Sequence, residues 1–258
     1  MMNKPGAIPA SKFFPLLIIL LLWELGADFS LVSPDIFPPP SRVGKTALEL
    51  LIRGLPPGHG LHLHALFSLF RVFLGFAIAL SLGLPLGFIA GWSPKINRAL
   101  NPIVNLIRPI PPLAWIPIAI VWFGIGLKSS SFLIALGIFF PVLLNTISGV
   151  RGVNPVFLDA ARTLGAGEFH LITRVLIPAA LPMVLTGIRI GLGVGWMTLV
   201  AAELTGVRSG YGLGFMIMTA RDLGRVDAIL AGMAAIGLVG YLMDRGILLI
   251  ESNIHREK

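Results

Sequence analysis

VNPVFLDAARTLGAGEFHLITRVLIPAALP, residues 153–182, is a polar, amphipathic, glycine-jointed stretch set between two apolar runs. Asn154 suits an N-cap, Pro155 suits the first helical position, and Gly165 suits the left-handed residue just past a helix end. The spacing therefore predicts a helix of about two and a half turns. A helix that short is marginal alone, so something must pack on it. Phe157, Ala160, Ala161 and Leu164 recur at i, i+3, i+4 and i+7 and gather on one face. Large residues at both ends and alanines between them make a shallow saddle, open to another protein's backbone or a bulky side chain. Beyond Gly165-Ala166-Gly167, Phe169, Ile172 and Leu176 fall on one face against Glu168, His170, Thr173 and Arg174, before Pro178 opens the next apolar run. The whole of 154–177 is expected to form an elbow: a capped helix, a joint, and a second helix along the membrane surface leading into a span.

The surroundings of the elbow are strongly apolar. Over the 258 residues 55% are apolar and 12% charged, with a mean hydropathy of +0.88. A soluble domain carries about twice that charge. The chain is read as all-α and integral to the membrane, a single domain over 1–258. A span needs about 20 apolar residues, and six candidates meet that need: 13–31, 65–92, 103–126, 132–150, 179–202 and 228–250. Lys4 and Lys12 precede a run that looks like a signal peptide, but no small-x-small cleavage site follows, so an uncleaved first span is expected.

An even number of spans returns the chain to its starting side. With both ends inside, Lys4, Lys12, Lys95, Arg98, Arg151, Arg162, Arg174, Arg256 and Lys258 fall on the cytoplasmic side. Arg42, Lys45, Arg53, Lys128, Arg208, Arg221 and Arg225 fall outside, a bias that favours cytoplasmic termini. The loop 32–60, rich in proline and glycine, then lies outside. The net charge of +8 flanks apolar runs, where it faces headgroups, and implies no nucleic-acid partner. Absence of cysteine rules out disulfides, thiolate metal sites and cysteine-borne lipid anchors.

The elbow resembles the cytoplasmic EAA loop of ABC importer permeases: Glu-Ala-Ala, three residues, Gly, nine residues, Ile, one residue, Leu-Pro. It stands here as Asp159-Ala160-Ala161, Gly165, Val175 and Ile177-Pro178. Each of the three departures keeps charge or apolar character. LLLWELGA, FPPPSRV, RPIPPLAWIPIAIVWFGIG, FFPVLLNTISGVRGV, AALPMVLTGIRIGLGVGWMTLVAAEL and GLVGYLMDRGILLIE carry the resemblance along nearly the whole chain, to the permeases of the nitrate, sulfonate and taurine class. It implies a type I ABC importer permease fold and a homodimer in the bacterial inner membrane. A cytoplasmic ABC ATPase dimer would dock on the elbow, using ATP and Mg, and a periplasmic or extracellular substrate-binding protein would deliver the solute. This chain itself would bind no cofactor and catalyse nothing. The solute expected is a small anion such as a sulfonate, nitrate or bicarbonate. On the same resemblance Asp159 makes a polar rim contact, Ala160 and Ala161, flanked by Phe157 and Leu164, fit the ATPase cleft, and Gly165 permits the turn.

Ionisable side chains in hydrocarbon are costly and mark pathways by default. Glu24, Arg71, Arg189 and Glu203 are such cases, with Arg189 or Glu203 expected to face a cavity and Arg71 able to snorkel to the headgroups. In RPIPPLAWIP, Pro109, Pro111, Pro112 and Pro117 break or border the third span. Either this is an interfacial start to the helix, or the broken helix, Trp115 included, lines a pathway. Rows of glycine at four-residue intervals, Gly83, Gly87, Gly91 and Gly187, Gly191, Gly195, predict close helix packing within one chain or a seam between two.

Other chemistry finds little support. Gly44-Lys45-Thr46 ends like a phosphate-binding loop, but Pro39 stands where its first glycine belongs. His59, His62 and His64 lack a nearby carboxylate or thiolate and are read as interfacial, with no metal site. Two rival functions stay open on these residues: a secondary transporter driven by an ion gradient and needing no ATPase, and an intramembrane enzyme, for which no serine nucleophile with a base is found.

Overall fold

Proline and glycine decide where this apolar chain turns. The structure, a computed structural model, describes residues 14–28, 33, 35–55, 58–205 and 210–256. Helix α1 (Phe14–Asp28) is followed by amphipathic α2 (Pro40–Ile52), whose first turn is opened by Pro40. Helix α3 (Leu61–Trp92) ends at Ser93, whose hydroxyl accepts from the Ile96 N–H at 3.4 Å and caps α4 (Pro94–Ile107). A 3-10 turn over Pro112–Trp115 leads into α5 (Ile116–Phe123), and glycines at 124 and 126, both at positive φ, turn the chain into α6 (Leu127–Arg151). Then come α7 (Pro155–Thr163), α8 (Glu168–Leu171), a π-helical turn over Ile172–Leu176, α9 (Ile177–Thr205), α10 (Leu213–Asp222) and α11 (Val226–Arg256).

Four helical stretches are long and apolar enough to span: Leu61–Trp92, Leu127–Arg151, Glu168–Thr205 and Val226–Leu249. A fifth is α4 joined to Pro112–Phe123, bent by 82°. The six expected spans therefore need correction. The third starts earlier, at Pro94, and breaks at 108–111, where prolines at 109, 111 and 112 supply no N–H and Pro111, ahead of Pro112, is extended at ψ 139°. The first reaches only from Leu17 to Ala27 as an apolar helix, while residue 13 and residues 29–31 lie outside the described part.

Helix α6 is the axis of the bundle. Leu133, Ile134, Ile138, Val142 and Leu143 are fully buried in it. Two glycine rows bring the flanking helices against it. A Cβ on Gly75, Gly87 or Gly91 of α3 would stand 2.7, 2.6 and 2.6 Å from Ile134, Thr146 and Val150. The constant offset between these pairs means α3 and α6 run parallel. On α9, Cβ atoms at Gly187 and Gly195 would stand 2.6 Å from Asn145 and 2.5 Å from Ile138, so α9 runs antiparallel to α6. Small residues let backbones approach and gain dispersion contacts, which in lipid replace the hydrophobic effect as the source of association. Both rows are spent within one chain.

At one end of the bundle α2 is clamped to the start of α11. Thr46 donates to Asp227 at 2.7 Å, and Arg225 bridges Asp227 at 3.0 Å and Glu49 at 3.5 Å. The hydrogen bond to Asp227 raises Arg225 above its ordinary value, so it stays charged. At the other end lies α7.

Candidate functional site

Helix α7 is shaped by its two ends. Asn154 Oδ1 accepts from the Val156 N–H at 3.0 Å, satisfying one of the donors a helix start leaves free. At the far end Gly165 takes φ +83°, and the Ala166 N–H closes on the Ala161 carbonyl at 3.0 Å, the left-handed stop expected there. No residue of α7 is buried. Phe157 is 60% exposed and Leu164 88% exposed, with Asp159 and Ala160 also exposed and Ala161 intermediate. The helix is held along one flank, where Leu158 packs on Val150, Val153, Leu176 and Ala180, alongside Phe88 and Trp92 of α3. The saddle of large, small, small and large residues is thus left largely uncovered, with Ala161 half-buried.

The second limb differs from the sequence expectation. It is no separate surface helix ended by Pro178, because 168–205 forms one continuous span. The π-helical turn Ile172–Leu176 ends two residues before Pro178. Its wider turn relieves the loss of the proline N–H and the clash of the ring with the preceding turn. The extra residue also rotates the apolar face: Leu171 and Leu176 are buried, while Phe169 is 75% exposed. Arg162 ties the two limbs, bridging Asp159 at 3.3 Å and Glu168 at 3.8 Å.

At the opposite end of α9 sits a polar cluster that the sequence does not reveal. Glu203, 1% exposed, pairs with Arg71 and accepts from the Ser68 hydroxyl at 3.0 Å and from the Gly214 N–H at 2.8 Å. Ser68 in turn accepts from the Leu213 N–H at 2.9 Å, and His64 Nδ1 accepts from the Gly212 N–H at 3.1 Å. His64, Ser68 and Arg71 fall one turn apart on α3; His64, Ser68 and Glu203 accept from the free N–H groups that open α10, and Arg71 donates to Glu203. Arg71 does not snorkel, and Glu203 does not face a cavity; each charge is neutralised by the other inside the bundle. The i, i+4, i+7 spacing of His64, Ser68 and Arg71 was available as a signal, but their partners lie 135 or more residues away in most cases. Glu24 plays a similar part, accepting from the Ser41 N–H at 3.0 Å at the start of α2.

Of the remaining pathway candidates, Trp115 packs with Ile116, Ile120 and Phe132 around Ala119, Leu133 and Ala202. Arg189 faces an open cleft between α9 and α11, where it makes a two-pronged pair with Asp244 at 2.8 and 3.2 Å. Asp244 was missed in the sequence reading, though an acid in an apolar run is itself the signal. Among the described residues no three His, Asp or Glu side chains converge as a metal site would require.

The chain is similar to known proteins in sequence and in fold. The family described as binding-protein-dependent transport system inner membrane component matches residues 83–255. The taurine transport system permease protein TauC of Escherichia coli is 40% identical over 242 residues, covering 93% of this chain and 86% of that one. The bicarbonate transport system permease protein CmpB and the nitrate import permease protein NrtB, both of Synechocystis, are 33% and 32% identical. The first alignment covers 96% of this chain and 94% of the relative, the second 91% and 85%. In fold, the chain superposes on the inward-facing MetNI methionine ABC transporter with a TM-score of 0.66 at 20% identity, over 81% of this chain and 98% of the other.

Proposed function

From a chain that belongs to the family of binding-protein-dependent transport system inner membrane components, and so is a non-catalytic permease subunit of an ABC importer, we propose that two copies form the path for a small anion. A separate ATPase subunit hydrolyses ATP. In this reading α7 lies on the cytoplasmic side, with both termini, and the α10 end faces the substrate-binding protein. The observation that carries it is the exposed saddle of α7: a capped helix with no buried residue, packed through Leu158 and tied to the second limb by Arg162, whose exposed Phe157 and Leu164 flank Ala160 and Ala161. An apolar knob of this kind suits a cleft in a partner. The anion is supported by relatives named for taurine, bicarbonate and nitrate transport. Force passes to the spans because the second limb is continuous with α9, so closing an ATPase dimer on two knobs tilts the helix that borders the pathway. The ATPase drives transport to the extent that its closed form binds one orientation of the permease better than the other.

Leu164→Asp puts a charge on the most exposed end of the saddle without touching the bundle. The expected result is at least a tenfold fall in ATPase co-purifying with a folded permease, together with loss of ATP-dependent uptake. Undiminished ATPase recovery, or uptake driven by an ion gradient without any ATPase, would overturn the assignment.

A further inference from the structure

A second unusual charge lies in the break between α4 and α5. Arg71 and Arg189 each hold a carboxylate. The side chain of Arg108, exposed at the break, has no hydrogen bond or ion pair among the described residues. It borders a groove of about 290 Å³ walled by Pro112, Gly137, Phe140, Asn145 and Ile190. Gly137, Phe140 and Ile190 fall in the middle of helices running 127–151 and 177–205, and Asn145 lies nearer the end of α6, so the groove runs from mid-span towards that end. Among the described residues no acidic side chain lines it.

We propose that Arg108 and this groove form a binding site for a small oxyanion part-way across the membrane. An uncompensated guanidinium at that depth is costly, and an anion arriving from water relieves the cost. The planar fork of the guanidinium matches two oxygens of a nitrate, carboxylate or sulfonate group. Asn145 supplies a second donor: one N–H of its amide goes to the Pro141 carbonyl at 2.8 Å, and the other remains for the ligand. Pro112 opens the second limb of the broken helix on the same groove, so the positive end of that limb adds to the field. The proposal rests on the reading of the solute as a small anion.

The chain contains no cysteine, so Ile190→Cys places one thiol in the groove of the assembled transporter. Its rate of reaction with an anionic sulfonatoethyl thiosulfonate reagent is compared with that for a cationic trimethylammonium counterpart. The anion-to-cation rate ratio is expected to be roughly five- to tenfold higher with Arg108 than with Arg108→Gln, and to fall with added salt. Arg108→Lys, which keeps the charge, is expected to keep most of the ratio and guards against a misfolded Gln variant. A ratio the same in all three, or a thiol neither reagent reaches, overturns the site, even with normal uptake. Separately, a wild-type transporter that carries none of taurine, nitrate and bicarbonate overturns the solute reading, whatever the thiol rates.

Discussion

Arg71 on α3 and Glu203 on α9 form an ion pair whose side chains are 5% and 1% exposed, and through Glu203 the pair holds the first turn of α10. Breaking one side of such a pair strands a buried charge. Glu203→Leu is expected to destabilise the permease by about 3–5 kcal/mol, roughly a 6–20 °C fall in unfolding temperature for a chain of this size. Adding Arg71→Met to Glu203→Leu removes the stranded charge and is expected to restore part of the loss. The remainder reflects the Gly214 N–H left without its acceptor. Intrinsic fluorescence on heating in detergent checks both; a double variant no better than the single would mean the charge is not the cause.

The glycine rows make a sharper steric test. At Gly87 a Cβ would lie 2.6 Å from Thr146 Cβ with the Leu143 carbonyl at 3.2 Å, so Gly87→Val must push α3 off α6. A loss of 1–3 kcal/mol or more is expected, seen as a reduced monodisperse fraction after extraction. At Gly193, off the row, a Cβ would meet nothing within 4 Å. Gly193→Ala is expected to be neutral or slightly stabilising. Equal behaviour of the two variants would show that the rows do not set the packing.

What could be read from the chain divides by distance along it. The α7 caps at Asn154 and Gly165 are local, each decided within a few residues, and the helix lies where those residues put it. The glycine rows announced close packing, but not that α6 would be the helix they grip. Glu203, His64 and Ser68 meet across the fold, and no local pattern says which acid belongs to which base. The phase of the second limb was misjudged because the π turn before Pro178 adds a residue, and straight 3.6-residue counting carries Phe169 to the wrong face. Asp244 escaped because it stands close to the basic end of the last span.

The Arg189–Asp244 pair ties α9 to α11 at about 42% and 46% exposure, where solvent weakens it. Its stability contribution is therefore small, about 0–1 kcal/mol. Asp244→Asn is expected to leave the unfolding temperature within about 2–4 °C of wild type while altering uptake, since it removes the negative charge that faces Arg189 in the cleft. If uptake and its dependence on solute concentration are unchanged, Arg189 lies off the path.

Gly165 separates folding from coupling. Its φ of +83° is left-handed, yet nothing lies within 4 Å of where its Cβ would be. A side chain there meets no clash, only backbone strain: about 1–2 kcal/mol for alanine, more for a β-branched residue, and least for asparagine. The bundle does not depend on the turn, because α7 contributes no buried residue to it. Variants at 165 are therefore expected to insert and extract like wild type. Uptake should fall in the order Gly, Asn, Ala, Val as the joint between α7 and α8 is forced open and the saddle is carried away from its partner. ATPase recovered with the permease should fall in the same order. Gly165→Val with normal uptake and normal ATPase recovery would mean that the angle of the elbow is not what transmits the stroke.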